Sequence, residues 1–111
     1  MNIKFDEFNK INIHVGTIIS IKKNKKARNP ALILEIDFGD EIGIKLSSAQ
    51  ITHNYNYKNL INEQIIAVCN FAPKNIAGVI SEVLVLGIVD KNNKVVLIKP
   101  DHKVENGLKI S

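Results

Sequence analysis

Apolar and polar residues alternate with a period of two along several short stretches, the spacing of strands with unlike faces. Residues 11–22 put Ile13, Val15, Thr17, Ile19 and Ile21 on one face and His14, Gly16, Ile18, Ser20 and Lys22 on the other. This predicts a long first strand, with Gly16 marking a bend or bulge. Residues 31–38 predict a second strand, with Leu32, Leu34, Ile36 and Phe38 inward and Glu35 and Asp37 outward. Gly39-Asp40-Glu41 reads as a hairpin turn into a third strand over residues 42–46, with Ile42, Ile44 and Leu46 inward. Residues 65–70 and 83–89 are β-branched apolar runs and predict the fourth and fifth strands. Residues 90–94 turn into a short run over 95–98. One interior helix is predicted, over residues 55–62, with Tyr57, Leu60 and Ile61 at packing positions. The chain lacks the alternation of strand and helix that builds parallel sheets, so the fold class is all-β. Five strands with one short helix between the third and fourth is the order of an OB-fold barrel.

The remaining segments carry the candidate chemistry. Residues 1–10 set Ile3, Phe5 and Phe8 among charges, as a docking arm or a helical turn against the body or a second subunit. Residues 99–111 form a C-terminal extension broken by Pro100 and Gly107. Residues 70–82 mix amides, a cation, a hydroxyl and a carboxylate with Ile76, Val79 and Ile80. Such a connector is either a binding loop or a cover over the open end of a sheet. Ser47-Ser48-Ala49-Gln50-Ile51-Thr52 offers uncharged donors and acceptors, as caps or as a polar pocket wall. Lys22, Lys23, Lys25, Lys26 and Arg28 form a basic loop ending at Pro30, either solvated or contacting phosphates.

Composition narrows the function. A chain of 111 residues supports one domain and one modest core. A net charge of +4 favours acidic partners. No apolar run reaches the length of a membrane span and no signal-peptide core opens the chain, so the expectation is a cytoplasmic protein with no membrane insertion. The single Cys69 excludes an internal disulfide, and its apolar surroundings predict an inert thiol. No glycine-rich phosphate loop occurs, so ATP use is not expected. His14, His53 and His102 lack metal-ligand spacing, and no serine sits in a nucleophile elbow. Neither catalytic residues, metal nor cofactor is expected, and the protein reads as a non-enzyme.

Several strings carry a family resemblance: Ala27-Arg28-Asn29-Pro30-Ala31, Ile36-Asp37-Phe38-Gly39, Ser47-Ser48-Ala49-Gln50-Ile51-Thr52, Asn70-Phe71, Lys74-Asn75-Ile76-Ala77-Gly78 and Ser81-Glu82-Val83-Leu84-Val85-Leu86-Gly87. Together they resemble the CsaA family, an export-related chaperone branch of the broader tRNA-binding-domain family, over about residues 8–110. The resemblance implies an OB-fold homodimer whose N- and C-terminal extensions build the interface. It implies an ATP-independent chaperone that binds unfolded preproteins in pockets near that interface, with the export translocase and tRNA as further partners. The alternative it leaves open is a tRNA-binding module acting through shape and phosphate contacts. On this reading the pocket draws on Ser47, Ser48, Gln50 and Asn70 for polar contacts, on Phe71, Ile76, Val79 and Ile80 for apolar ones, and on Lys74, Ser81 and Glu82. Acidic partners or tRNA would meet Lys22, Lys23, Lys25, Lys26, Arg28 and Lys74. The chain departs from the family pattern at Ala72 and Lys74, where the pattern has Pro and Arg, and at His14, where it generally has Arg.

Overall fold

The structure, a computed structural model, describes residues 1–26, 31–51 and 55–111. In chain order its elements are α1 (Phe5–Asn9), β1 (Ile13–Lys23), β2 (Leu32–Asp37), α2 (Gly39–Ile42), β3 (Ile44–Ala49), a 3-10 turn at Tyr57–Asn59, β4 (Gln64–Val68), β5 (Lys74–Ile76), β6 (Val79–Ser81), β7 (Leu84–Val85), β8 (Gly87–Val89) and β9 (Val95–Leu97). Five strands form an antiparallel sheet in the order β3-β2-β1-β4-β7, while β5–β6 and β8–β9 are separate hairpins. The sheet curls into a nearly closed all-β barrel around Ile18, Leu32, Leu34, Ile36, Phe38 and Ile65.

β2 follows its predicted faces, with Leu32, Leu34 and Ile36 buried. β1 does not keep one parity. Its pairing with β2 slips between Ile18 and Ser20, so Ile18 and then Ile21 turn to the core while Ile19 is exposed. The irregularity therefore lies beyond Gly16. A Cβ on Gly16 would come 2.7 Å from Ile36 Cγ2 and from the Phe38 ring, so this glycine is dictated by packing.

β3 departs further from the pattern. The expected hairpin turn at residues 39–41 is a single helical turn, α2, bounded by Gly39 and Gly43 at φ +87° and +84°. Asp37 Oδ1 accepts the Gly39 N–H at 2.8 Å and starts that turn. β3 therefore begins at Ile44 and carries the two serines inside the strand. Ser47 lies opposite Leu34 and shares its inward face. Ile44 and Leu46 are accordingly not inward, whereas Ile42 packs against the core from the end of α2. Ile44 is exposed, and Ser47 is 1% exposed. Between β3 and β4 the predicted helix shrinks to the 3-10 turn; it buries Leu60 and leaves Ile61 exposed. The predicted fifth strand divides at Leu86, whose N–H bonds the Ile66 carbonyl while β8 turns away to pair with β9.

Side chains close the barrel. Ser47 Oγ donates to the Val83 carbonyl at 3.0 Å, and the Ser48 N–H donates to Ser81 Oγ at 3.0 Å. The Leu46 N–H donates to Glu82 Oε1 at 3.1 Å, and the Glu82 N–H donates to the Leu46 carbonyl at 2.8 Å. The C-terminal extension runs along the part of β1 that β2 leaves uncovered, through bonds between Gly107 and Val15, Val15 and Leu108, and Ile110 and Ile13. Gln64 clamps it, donating to the Val104 carbonyl at 2.6 Å and accepting the Val104 N–H at 3.0 Å. At the other terminus α1 buries none of its residues, and Phe5 is 85% exposed.

Candidate functional site

The connector between β4 and β7 is built around the β5–β6 hairpin. Ile76 pairs with Val79, which leaves Ala77 and Gly78 as a two-residue turn at φ +49° and +86°. Positive φ at both positions is the type I′ geometry that matches strand twist. Asn75 Oδ1 accepts the Gly78 N–H at 3.0 Å and fixes the tip. The base of the hairpin is fixed to β3 by the Ser81 and Glu82 bonds already described.

An open cleft of about 360 Å³ lies at this base. Phe71, Ala72 and Ile76 form its outer apolar wall, and Val83 and Leu84 form its floor. Ser48, Lys74, Ser81 and Glu82 supply its polar groups. Phe71 is 58% exposed and presents its ring at the cleft. Glu82 is anchored at both oxygens: Oε1 by the Leu46 N–H, and Oε2 by Lys45 Nζ at 3.7 Å.

Six of the eleven expected pocket residues converge here: Ser48, Phe71, Lys74, Ile76, Ser81 and Glu82. The other five lie elsewhere, Val79 and Ile80 in a separate recess near the hairpin tip. Ser47 is buried in the barrel seam with its hydroxyl on the Val83 carbonyl. Asn70 fastens the segment before β1, accepting the Asn12 N–H at 2.9 Å and donating to the Lys10 carbonyl at 2.7 Å. Gln50 is exposed beyond the end of β3 and does not line the cleft. Ala72, Val83 and Leu84 line it without having been singled out as pocket residues. The signal for Leu84 was its place directly after the connector, in a run that reads as buried strand.

Of the basic set, Lys22, Lys23, Lys25 and Lys26 are exposed, and Arg28 lies outside the described residues. Lys26 reaches across to the hairpin tip, where a Cβ on Gly78 would sit 3.6 Å from its Cδ and 4.0 Å from its Nζ. Basic loop and hairpin therefore meet. Burial pushes the Cys69 thiol up to about 11, against a weaker lowering by Lys45, so it is a protonated, poor nucleophile near neutral pH. Among the described residues no cluster of His, Cys, Asp or Glu could hold a metal ion. No helix among them is long and apolar enough to cross a membrane.

Residues 13–109 match the family described as "Putative tRNA binding domain". The chain belongs to this tRNA-binding-domain family. Within it the likeness to CsaA proteins extends over the whole chain. The crystal structure of the chaperone CsaA of Bacillus anthracis str. Ames superposes with a TM-score of 0.93 at 50% identity, covering 100% of both chains. The CsaA chaperone protein of Picrophilus torridus superposes with a TM-score of 0.92 at 52% identity, covering 99% of this chain and 100% of that one. These likenesses place the chain in the CsaA branch. A methionine–tRNA ligase of Pyrococcus abyssi is 32% identical over 110 residues, 99% of this chain. The chain spans only 15% of that ligase.

Proposed function

We propose that this protein is an ATP-independent, export-related chaperone that holds extended segments of unfolded preproteins in the cleft at the base of β5–β6. The observation that carries this reading is the cleft itself. It has an exposed Phe71, an apolar floor and a short rim of hydroxyls and opposite charges. An extended segment fits such a surface: apolar side chains enter the floor, and the hydroxyl rim bonds its backbone. β5 has β6 as its single strand neighbour among the described residues, which leaves main-chain groups for an added strand. The reading is of a binding protein without catalysis, working in the cytoplasm, with the export translocase as a downstream partner.

The second part of the reading is a homodimer of OB-type barrels. The exposed Phe5 and Ile3 on and before α1, and Leu108 in the C-terminal extension, give a second copy apolar surface to cover. Sedimentation at micromolar concentration is expected to give a dimer, and a monomer would remove this part.

Capture of a chemically unfolded, labelled preprotein tests the cleft. Phe71→Ala combined with Ile76→Ala is expected to weaken capture at least tenfold, because truncating central apolar anchors costs about 1–2 kcal/mol each. Equal retention by wild type and variant would refute the cleft. A module for tRNA, acting through shape and phosphate contacts, is the other reading. It is favoured by the family match and by the exposed lysines at 22–26. Its affinity for tRNA should fall steeply with salt, and a flat titration would exclude it.

A further inference from the structure

A second recess, of about 480 Å³, lies near the tip of the hairpin and shares no lining residue with the first cleft. Its floor is the outer face of β1, β2 and β3. There Ser20, Glu35 and Leu46 form one cross-strand row, and Lys22 and Ile33 stand in the next. Gly78, Val79 and Ile80 form the opposite wall. Glu35 stands half-buried in the middle, one oxygen held by the Ser20 hydroxyl at 3.0 Å. No partner is found among the described residues for its other oxygen.

This arrangement is unusual for a surface that attracts phosphates. Lys22 lines the recess and Lys26 overhangs its hairpin wall. A carboxylate in the same recess repels a phosphate placed at the floor, yet it accepts hydrogen bonds from N–H groups. A nucleotide satisfies both halves: its phosphate meets the lysines, and an exocyclic amine on its base meets the carboxylate. Ile33, Leu46, Val79 and Ile80 give the base apolar contacts in place of aromatic stacking.

We propose that this recess holds an unpaired RNA nucleotide and selects a base that presents an exocyclic amine, with Glu35 as the reading residue. Cytosine, adenine and guanine each carry such an amine; uracil has none and presents a carbonyl at the position of the cytosine amine, which the carboxylate repels. Unpaired bases are the usual targets of sequence-selective RNA recognition, because their edges are free. The inference rests on the RNA-binding part of the proposed function and is independent of the peptide cleft.

The test is fluorescence anisotropy with labelled oligocytidylate and oligouridylate of equal length at one salt concentration. Wild type is expected to bind oligocytidylate roughly tenfold more tightly, the size of one good base contact. Glu35→Gln, which both donates and accepts, should bring the two affinities to within about twofold. Glu35→Lys should invert the preference toward uridine. Lys22→Ala should weaken both oligonucleotides alike and reduce the salt slope by about one. Saturation with an unfolded peptide should leave oligonucleotide affinity unchanged. Equal wild-type binding of both oligonucleotides would overturn the inference, as would a preference that survives Glu35→Gln. Competition by peptide would overturn it too, because both ligands would then use one surface. Binding of neither oligonucleotide removes this recess as a site and leaves the peptide cleft standing; loss of peptide capture alone does the reverse.

Discussion

Replacing Ser47 and Ser81 by alanine, singly and together, separates a structural seam from a binding surface. Both hydroxyls donate to one acceptor, the Val83 carbonyl: Ser47 Oγ at 3.0 Å and Ser81 Oγ at 3.4 Å. Ser47→Ala removes the shorter bond but leaves the carbonyl partnered, so it should cost about 1 kcal/mol, the net value of one hydrogen bond. Ser81→Ala also strips the Ser48 N–H of its acceptor and should cost about 1–2 kcal/mol. In the double variant the carbonyl loses both donors. Its desolvation is then uncompensated, and a coupling of about 1 kcal/mol beyond additivity is expected. At roughly 2.1 cal/mol/K per residue, the chain's unfolding entropy is about 0.23 kcal/mol/K. Ser47→Ala should therefore lower Tm by about 4 °C, and the double variant by about 15 °C. Thermal unfolding followed by circular dichroism, with urea titrations as a second measure, reads these shifts. Preprotein capture measured well below Tm should not change for Ser47→Ala, because its side chain does not line the cleft and Ser81 still holds the Val83 carbonyl. A double variant whose loss equals that of the two singles would refute the shared acceptor. A Ser47→Ala variant of unchanged Tm and weaker capture would refute the seam altogether.

Three further outcomes follow from local geometry. Gly16→Ala should destabilise by about 1–3 kcal/mol in urea titrations, because its methyl meets Ile36 and Phe38 in a filled core; an unchanged midpoint would refute that contact. Ala77→Asn should stabilise by about 0.5–1 kcal/mol, since Asn tolerates the φ of +49° that a type I′ turn requires and Ala does not, and a lower Tm would refute the turn assignment. Cys69 should react slowly with iodoacetamide in the folded protein at pH 8 and quickly once unfolded. Its folded pKa is raised from 9.0 to about 11, so the stability it contributes is fully present below pH 9 and is lost as pH rises from 9 toward 11; fast native-state alkylation at pH 8 would refute the burial.

Period-two alternation made the strands legible because one barrel face is buried, and β2 kept its faces as read. It failed where a local event changed parity. The slip between Ile18 and Ser20 leaves no mark in composition. For the third strand the apolar residues at 42, 44 and 46 suggested the inward face; Ile42 does pack on the core from α2, but within β3 the pairing with β2 gives that face to Ser47 and Ala49. A buried serine in a strand is invisible to hydrophobic patterning, since its cost is removed by a partner 36 residues away, Val83. The hairpin within residues 70–82 was hidden for a related reason. Asn-Gly is the strong turn signal; here Ala77 occupies the first turn position, and Asn75 supplies its amide from two residues earlier.

The same serine string shows how a motif divides between roles. Ser47 and Ser48 are adjacent in β3, so their side chains leave opposite faces of the strand. Ser47 goes inward to close the barrel; Ser48 goes outward to the cleft wall. Glu82 joins the two roles within one side chain, lining the cleft while bonding β3 through Oε1 and pairing with Lys45 through Oε2. The seam and the cleft are thus mechanically continuous. A change that loosens the seam at Ser81 or Glu82 also moves the wall against which a peptide would lie, whereas a change at Phe71 removes a contact and leaves the barrel closed. Stability and capture should consequently fall together for Ser81 and Glu82 variants and separately for Phe71 variants.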